Sequence, residues 1–373
     1  MAETLTIIHT EASDGWGGQE IRIFSEAGWF REQGHRVILI TPAHAQLQQR
    51  AREAGFETFQ LSFTKASQAG DFFRLGRILQ QMRPHVLGTH SSTDSWVGML
   101  AGRRQRVPVL LRYRHVSTPV KPNWLNRFFY RTLCHHTLTT GECIRQPLIE
   151  TLGVDPLKVT SAPTGIEPPP FPSDRETARV SLCQELKLPP TSRFVGCVAV
   201  LRSWKGQALL MDAFQSVAAR FPHHHLLLVG NGPGWPGLNE HRDSLTVRER
   251  ILFTGHQADP WRYFRALDAA LLPSTKNEGI PQSLLQAMFA GCPALGSRVG
   301  GIPEIIQHNA TGLLFEPASA EAIATVLVQV LSQPEAAQAR ALKALEYVQQ
   351  HHTRQRMGEQ VLAVIQRQLA FKL

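Results

Sequence analysis

Short apolar runs recur along the chain, each closed by a polar or glycine-bearing loop and followed by a stretch with apolar residues three and four apart. The runs Leu5–Thr10, Arg36–Thr41, Val86–His90, Val107–Tyr113, Thr137–Thr140 and Val159–Ala162 read as strands. Between them, Glu20–Gln33, residues 66–82 and Glu142–Thr151 carry helical spacing, and Gly34-His35 stops the first of these. The pattern then repeats. Phe194–Leu201, Leu226–Val229, Ile251–Gly255, Ala269–Leu272, Ala294–Ser297 and a strand-like piece within Thr311–Phe315 alternate with helices at Gln207–Phe221, Asp259–Leu267 and Pro281–Phe289. Helices at Ala318–Ser332, Pro334–His351 and beyond Thr353 close the chain. Strand, loop, helix, strand is the signature of an α/β fold built on parallel sheets, because each crossover must return the chain to the same edge.

Two such series imply two domains. Between them lies Pro163-Thr164-Gly165-Ile166-Glu167-Pro168-Pro169-Pro170-Phe171-Pro172, stiff and extended through its prolines. The expected division is 1–167 and 176–352, with 353–373 as a terminal helix. At 373 residues each half is long enough for its own core.

Composition narrows the class. Hydrophobic residues at 43% and charged residues at 18% suit a soluble globular protein, and no apolar run is long enough to cross a bilayer. The N-terminus enters a strand directly, with no secretory leader pattern. Five cysteines, at 134, 143, 183, 197 and 292, form no metal-type pair and suit a reducing cytoplasm. Lys plus Arg exceed Asp plus Glu by nine, which favours an anionic partner: a nucleoside diphosphate, a phosphorylated acceptor or an anionic membrane face. No zinc finger, RNA-stacking motif or basic recognition helix is present, so nucleic acid ranks last. Lys121–His136 mixes Trp124, Leu125, Phe128 and Phe129 with Lys121, Arg127 and Arg131. It reads first as a domain helix with a core stripe and a wet basic face, and second as a segment for an anionic membrane surface. His223 to His225, ahead of a strand with no supporting carboxylate or cysteine, reads as a solvated loop rather than a metal tract.

The chemistry concentrates between Asp268 and Glu304. There a strand ends in Pro273-Ser274, and the loop Thr275-Lys276-Asn277-Glu278-Gly279 feeds a helix through Ile280 and Pro281. Free N–H groups at such a helix start, together with its dipole, seat phosphate, and Glu278 places a carboxylate beside whatever the phosphate carries. That pairing suggests a sugar nucleotide. Arg202-Ser203-Trp204-Lys205-Gly206 sets two cations and a glycine at another strand-to-helix turn, suited to a diphosphate. Gly17-Gly18 lies in the first strand-to-helix turn, beside Trp16, where a backbone either approaches a ligand or simply turns tightly. His90 and Arg114-His115 stand at strand ends, where a histidine serves structure as readily as chemistry. Gly230 opens a glycine-rich turn that binds a ligand or is a plain loop.

In order and spacing, Pro-Ser, Asn277-Glu278-Gly279, Ala-Met-x-x-Gly-x-Pro and Gly300-Gly301-x-x-Glu304 resemble the retaining GT-B glycosyltransferases of family four (glycosyltransferase group 1). The likeness extends over essentially the whole chain and is most specific over 194–316. It implies two Rossmann-like, doubly wound domains facing across a cleft, an N-terminal acceptor-side domain and a C-terminal donor domain, with the terminal helix crossing back. It also implies transfer of a sugar from a nucleotide-diphosphate sugar to a hydroxyl of a glycan or lipid-linked acceptor, with retention, as in lipopolysaccharide or envelope polysaccharide synthesis. In that reading Arg202 and Lys205 hold the diphosphate, Glu278 orients the sugar and His115 lies near it. Gly17, Gly18, Gly230, His256, Asn277, Gly279, Ile280, Gln282 and Gln286 line the donor, and Trp16, His90 and Arg114 lie on the acceptor side. No cofactor or metal is expected, because the cations and helix-terminal N–H groups take the metal's part.

One position departs from the pattern. Where the family carries a second glutamate, this chain has Gln286, whose amide both accepts and donates. Exchanging a charged for a neutral hydrogen bond costs about 1 kcal/mol, roughly fivefold in affinity. A sugar-nucleotide epimerase or hydrolase on the same fold, and a silent nucleotide-sugar binding protein, are the alternatives. The location expected is cytoplasmic, or peripheral at the inner face of the plasma membrane.

Overall fold

The computed structural model describes residues 4–171 and 174–371. Pro172 at the end of the proline-rich connector, the first residues of the 1–167 span and the last of 353–373 lie outside them. The chain divides into two compact units, one running to Gly165 and resuming at Thr353, the other spanning Ile166–His352.

The first unit contains β1 (Thr6–Thr10), α1 (Gly18–Glu32), β2 (Arg36–Thr41), α2 (Gln46–Glu53), β3 (Glu57–Gln60), α3 (Gln68–Met82) and β4 (Val86–Thr89). It continues with α4 (Ser92–Arg104), β5 (Val109–Arg114), α5 (Trp124–Phe128), β6 (His136–Thr139), α6 (Glu142–Leu152) and β7 (Val159–Ser161). The strands form one parallel sheet in the order β3-β2-β1-β4-β5-β6-β7. The order reverses between β1 and β4, which opens a crevice at their carboxyl ends. Strand residues such as Ile8, Ile38, Leu87 and Leu110 are buried toward one face, and Ile7, Leu39, Val109 and Leu111 toward the other. Both faces are therefore covered, as a parallel sheet requires.

In the second unit α7 (Arg175–Glu185) precedes β8 (Arg193–Val198), α8 (Gln207–Val217), β9 (His224–Val229), α9 (Trp235–Ser244), β10 (Ile251–Gly255), α10 (Trp261–Ala266) and β11 (Ala269–Leu272). Then come α11 (Gln282–Phe289), β12 (Ala294–Ser297), α12 (Ile302–Ile305), β13 (Leu313–Phe315), α13 (Ala320–Ser332) and α14 (Pro334–His351). The sheet order β10-β9-β8-β11-β12-β13 is again parallel, with its reversal between β8 and β11. Each unit is thus a doubly wound, Rossmann-like domain.

The last helix, α15 (Arg354–Ala370), belongs to the first unit. Thr353 caps it by accepting from the Arg356 amide, and Val361, Val364 and Ile365 enter the core beneath α1. Gly358 makes the close approach to α1 feasible, since a Cβ there would lie 2.1 Å from the Trp29 ring. Trp29 Nε1 donates to Gln355 Oε1 at 2.6 Å, and Arg354 pairs with Glu32 at 2.9 Å.

Several elements differ from the sequence reading. The elements α2, β3, α4 and α9 went unread; in α2 and β3, QLQQRARE and ETFQ carry little apolar signal. Lys121–His136 is not one helix with a core stripe. It splits into the short α5, capped by Asn123, and a π-helical turn at Phe129–Leu133. Phe129, Tyr130 and Leu133 reach the core, whereas Trp124 (73% exposed), Leu125 and Phe128 face outward. The histidine tract is no solvated loop either: His224 and His225 begin β9, and His224 Nε2 lies 3.4 Å from Asp268 Oδ2. That carboxylate comes from the neighbourhood of β11, brought beside β9 only by folding.

Gly358→Ala is expected to lower stability by about 1–3 kcal/mol, the usual cost of overpacking. Urea unfolding monitored by Trp fluorescence measures it, and an unchanged midpoint would mean that α1 and α15 tolerate separation.

Candidate functional site

In the second unit, the turn after β8 and the loop after β11 meet at the sheet's reversal point. Lys205 ends a 3-10 turn at Ser203–Lys205, and Glu278 sits in the loop before α11. Lys205 Nζ lies 2.6 Å from Glu278 Oε1, and Ser274 Oγ donates to the same oxygen at 2.5 Å. Both charged side chains are largely withdrawn from water, which strengthens their attraction and makes either one costly to leave alone. Ser297 Oγ donates to the Ser274 carbonyl at 2.6 Å, tying β12 into the cluster.

Glycine explains why these loops pack so closely. Gly206, at φ 72°, lies against the Pro273 carbonyl, where a Cβ would come within 2.0 Å. The Thr275 amide donates to the Trp204 carbonyl at 2.7 Å, stitching the two loops together. Gly300, at φ 53°, lies equally close to the Glu278 carbonyl, and the Gly301 amide donates to that oxygen at 3.3 Å. The Gly-Gly pair therefore buttresses the backbone that carries Glu278.

The other donor-side candidates of this unit fall around this cluster or apart from it. Arg202 is exposed, lies over the Trp204 ring at 5.0 Å and makes no ion pair among the described residues. Asn277 holds a left-handed conformation at φ 63°, which asparagine tolerates better than most residues. Gly279 follows Glu278, Ile280 is buried in the core, and Gln282 and Gln286 lie one turn apart on α11. Gly230 packs under the Ala199 carbonyl and donates its amide to Gly255, so this glycine-rich turn braces the end of β8 and its N–H is already engaged. His256 lies exposed in the loop after β10.

In the first unit the reversal point holds a cluster that sequence reading saw in part. His90 and His115 are joined by His9, which it missed. His9 Nδ1 is 3.0 Å from His90 Nε2, and His90 Nδ1 is 2.9 Å from His115 Nε2. The register pairs His9 with Gly88, and a Cβ at Gly88 would lie 3.0 Å from the His9 ring and 2.9 Å from that of Tyr113. Burial drives His9 down to about 4. Burial, aided by Arg22 and Arg112, holds His90 and His115 well below the ordinary imidazole value. Tyr113 stacks on His90 at 4.3 Å and donates to Glu26 Oε1 at 2.7 Å, and Glu26 in turn faces the buried Arg22.

Two acids complete this end of the sheet. Asp94 accepts from Thr10 Oγ1 at 2.6 Å and from the His90 amide at 3.0 Å. Burial and the nearby Glu11 raise its carboxyl to about 7. Glu11 accepts from the Ala12 and Ser13 amides and from Ser91 and Gln19. Gly17 caps α1 and donates its amide to Glu20 Oε2 at 2.8 Å, while Gly18 begins the helix. Trp16 packs edge-on against Phe24 and under Arg50. Arg114 turns back to the Thr118 carbonyl, Arg103 to those of Thr132 and Leu133, and Arg112 to that of Thr89. Three of the five arginines between 103 and 114 are thus engaged with backbone carbonyls. Histidines at successive strand ends were the available signal for His9, but only the order β1-β4-β5 shows that they meet. Among the described residues no group of three His, Cys, Asp or Glu side chains is placed to hold a metal ion.

Paired doubly wound domains, each with its polar cluster at the sheet reversal, define the GT-B class. Anabaena HepE, solved in complex with UDP and glucose, superposes with a TM-score of 0.82 at 18% identity, covering 97% of this chain and 99% of that one. The family model described as "Glycosyl transferases group 1" matches residues 181–346, and that of "Glycosyltransferase Family 4" matches 16–168. The chain belongs to this family. It is 40% identical over 110 residues to N-acetyl-alpha-D-glucosaminyl L-malate synthase of Bacillus anthracis, a match over 30% of this chain and 29% of that protein's length. It is 24% identical over 272 residues to the UDP-Gal:alpha-D-GlcNAc-diphosphoundecaprenol alpha-1,3-galactosyltransferase of Escherichia coli, covering 69% of this chain and 68% of that one.

The depressed histidines favour the folded state above the unfolded value of about 6.5, and that contribution is lost as pH falls toward the folded values. Asp94 acts oppositely, favouring the fold below about 3.9 and losing that contribution as pH rises through 7. Ring-nitrogen NMR between pH 8 and 4 is expected to show His9 protonating only near pH 4, with His90 and His115 neutral above it. A transition of any of the three near 6.5 would contradict the burial argument.

Proposed function

We propose that the protein transfers a sugar from a nucleoside-diphosphate sugar to a hydroxyl of a glycan or lipid-linked acceptor, with retention at the anomeric carbon and without a metal ion. The observation that carries this reading is the Lys205–Glu278–Ser274 cluster at the carboxyl edge of the second sheet. A diphosphate arriving there meets the exposed Arg202, the two remaining donors of the Lys205 ammonium and the positive end of the α11 dipole. As the glycosidic bond breaks, charge grows on the departing diphosphate, and these groups stabilise it in place. Glu278, held by Ser274, accepts from sugar hydroxyls and orients the ring. His115 supplies a neutral contact on the sugar side, and Gln286 takes the ribose diol. Supporting the donor class are the complex of HepE with UDP and glucose and the UDP-Gal donor named for the E. coli relative.

Gln286 favours a second reading, a nucleotide-sugar binding protein without turnover. Thermal-shift measurements with UDP, GDP, ADP and CMP, each with and without EDTA, come first. Stabilisation by one diphosphate, unaffected by EDTA, is expected, and no response to any would remove the nucleotide site. Lys205→Ala is expected to stay folded but lose stability, since it strands the buried Glu278 carboxylate, and to weaken that diphosphate about 10- to 100-fold, the loss of one or two charge-assisted hydrogen bonds. Product formed only when donor and acceptor are both present separates transfer from binding alone and from epimerisation or hydrolysis of the donor.

The acceptor side of the proposal includes an anionic membrane at the inner face of the cell, with the protein itself cytoplasmic. Supporting it are the outward Trp124, Leu125 and Phe128 beside exposed Lys121, Arg127 and Arg131, and five cysteines that are all free. No helix among the described residues is long and apolar enough to cross a membrane. Co-sedimentation with vesicles rich in phosphatidylglycerol is expected to fall about tenfold in the Trp124→Ser, Phe128→Ser double variant. Equal binding to neutral vesicles, or none to either, would end the membrane clause.

A further inference from the structure

The His9–His90–His115 chain carries more information than the presence of three adjacent rings. His90 and His115 have centroids 5.2 Å apart and planes 18° apart, with facing nitrogens at 2.9 Å. They therefore meet edge to edge in nearly one plane, the geometry of an N–H···N hydrogen bond rather than a stack. His9 and His90 also meet edge to edge, with facing nitrogens at 3.0 Å, centroids 5.2 Å apart and planes twisted by 40°. Three neutral imidazoles share three ring protons, and His90 has only one to give. Both bonds must then point the same way along the chain.

Two arrangements satisfy this. In the first, His9 Nδ1–H donates to His90 Nε2 and His90 Nδ1–H donates to His115 Nε2, leaving the third proton on His115 Nδ1. In the second every bond is reversed, and the third proton sits on His9 Nε2. His9 Nε2 is buried and has no hydrogen-bond partner. The second arrangement thus buries an N–H with no acceptor, the rarer and less tolerated defect, whereas the first buries only a lone pair. At the outer end His115 is partly exposed and its Nδ1 has no protein partner among the described residues, so water satisfies it in either state.

We infer that His9 and His90 are positioning residues that fix the ring proton of His115 on Nδ1, so that His115 meets the substrate as a neutral hydrogen-bond donor and not as a base. The substrate clause rests on the sugar-side role of His115 proposed above, whereas the direction of the chain does not. The chemistry that fits is an uncharged acceptor oxygen, such as a sugar hydroxyl or ring oxygen. Arg22, Arg112 and Arg114 surround the chain and discourage a second proton on it.

Histidine-labelled full-length protein tests the direction without any ligand. Long-range proton–nitrogen spectra, assigned from single histidine variants, are expected to show His9, His90 and His115 each protonated on Nδ1. Protonation of His115 on Nε2 would overturn the inference. His9→Asn puts an amide donor where the His9 Nδ1–H stood, and it is expected to preserve both the His115 tautomer and, within about twofold, the donor kcat/KM. His9→Leu removes that donor, and it is expected to leave His115 in mixed tautomers with kcat/KM down about tenfold, as for one oriented hydrogen bond. Equal loss in both variants with an unchanged His115 tautomer would mean that His9 only fills space. If the tautomer is as expected but His115→Ala leaves donor kinetics unchanged, the substrate clause falls while the direction of the chain stands.

Discussion

An almost fully buried carboxylate held against an ammonium is the constraint on which the second domain's site depends. Glu278 is 5% exposed, and a charge so far from water persists only where partners replace its hydration. Lys205 and Ser274 do so on one oxygen, and the surrounding loops are shaped to keep them there. Gly206 lets the β8 turn descend onto Pro273, and Gly300 lets the β12 turn rise beneath Glu278. A side chain at either glycine would push apart the elements that carry the charges. The glycines of this motif therefore act less as phosphate cradles than as spacers that permit backbone to lie on backbone.

The first domain solves a related problem with neutral groups. Its reversal point gathers imidazoles, a tyrosine and two carboxyls in a space too dry for free charge. Desolvation lowers the histidines and raises Asp94 and Glu11, so protonation states shift toward neutrality. Direction along the hydrogen bonds then matters more than charge, and the unpartnered nitrogen of His9 sets it. One sheet thus carries neutral, directional hydrogen-bonding groups at its carboxyl edge, and the other carries cations.

The alternation of strands and helices was legible because each parallel strand is a short apolar run with both faces covered, and such runs stand out in any window. Ala269–Leu272 and Ala294–Ser297 read correctly for that reason. Of the segments that went unread, α2, β3 and α9 carry polar side chains that dilute the signal, whereas the buried residues of α4 spread around the helix rather than along one stripe. Trp124, Leu125 and Phe128 misled in the opposite sense. Their spacing suits a core stripe, but a five-residue helix ending in a π turn directs them outward and gives the core to Phe129, Tyr130 and Leu133.

Sequence by itself determined the fold class, the place of the domain boundary in the proline-rich stretch, and the loops that carry Lys205, Glu278 and His115, since local propensity and motif spacing are properties of neighbours along the chain. Tertiary structure decided which of those residues have partners. Ser274, four residues from Glu278, looked like the end of a strand, and it is the hydroxyl that steadies the carboxylate. His9 lies 81 residues from His90, and nothing in the local sequence links them. Only the strand order, set by how crossovers wind around a twisted sheet, brings them within hydrogen-bonding distance.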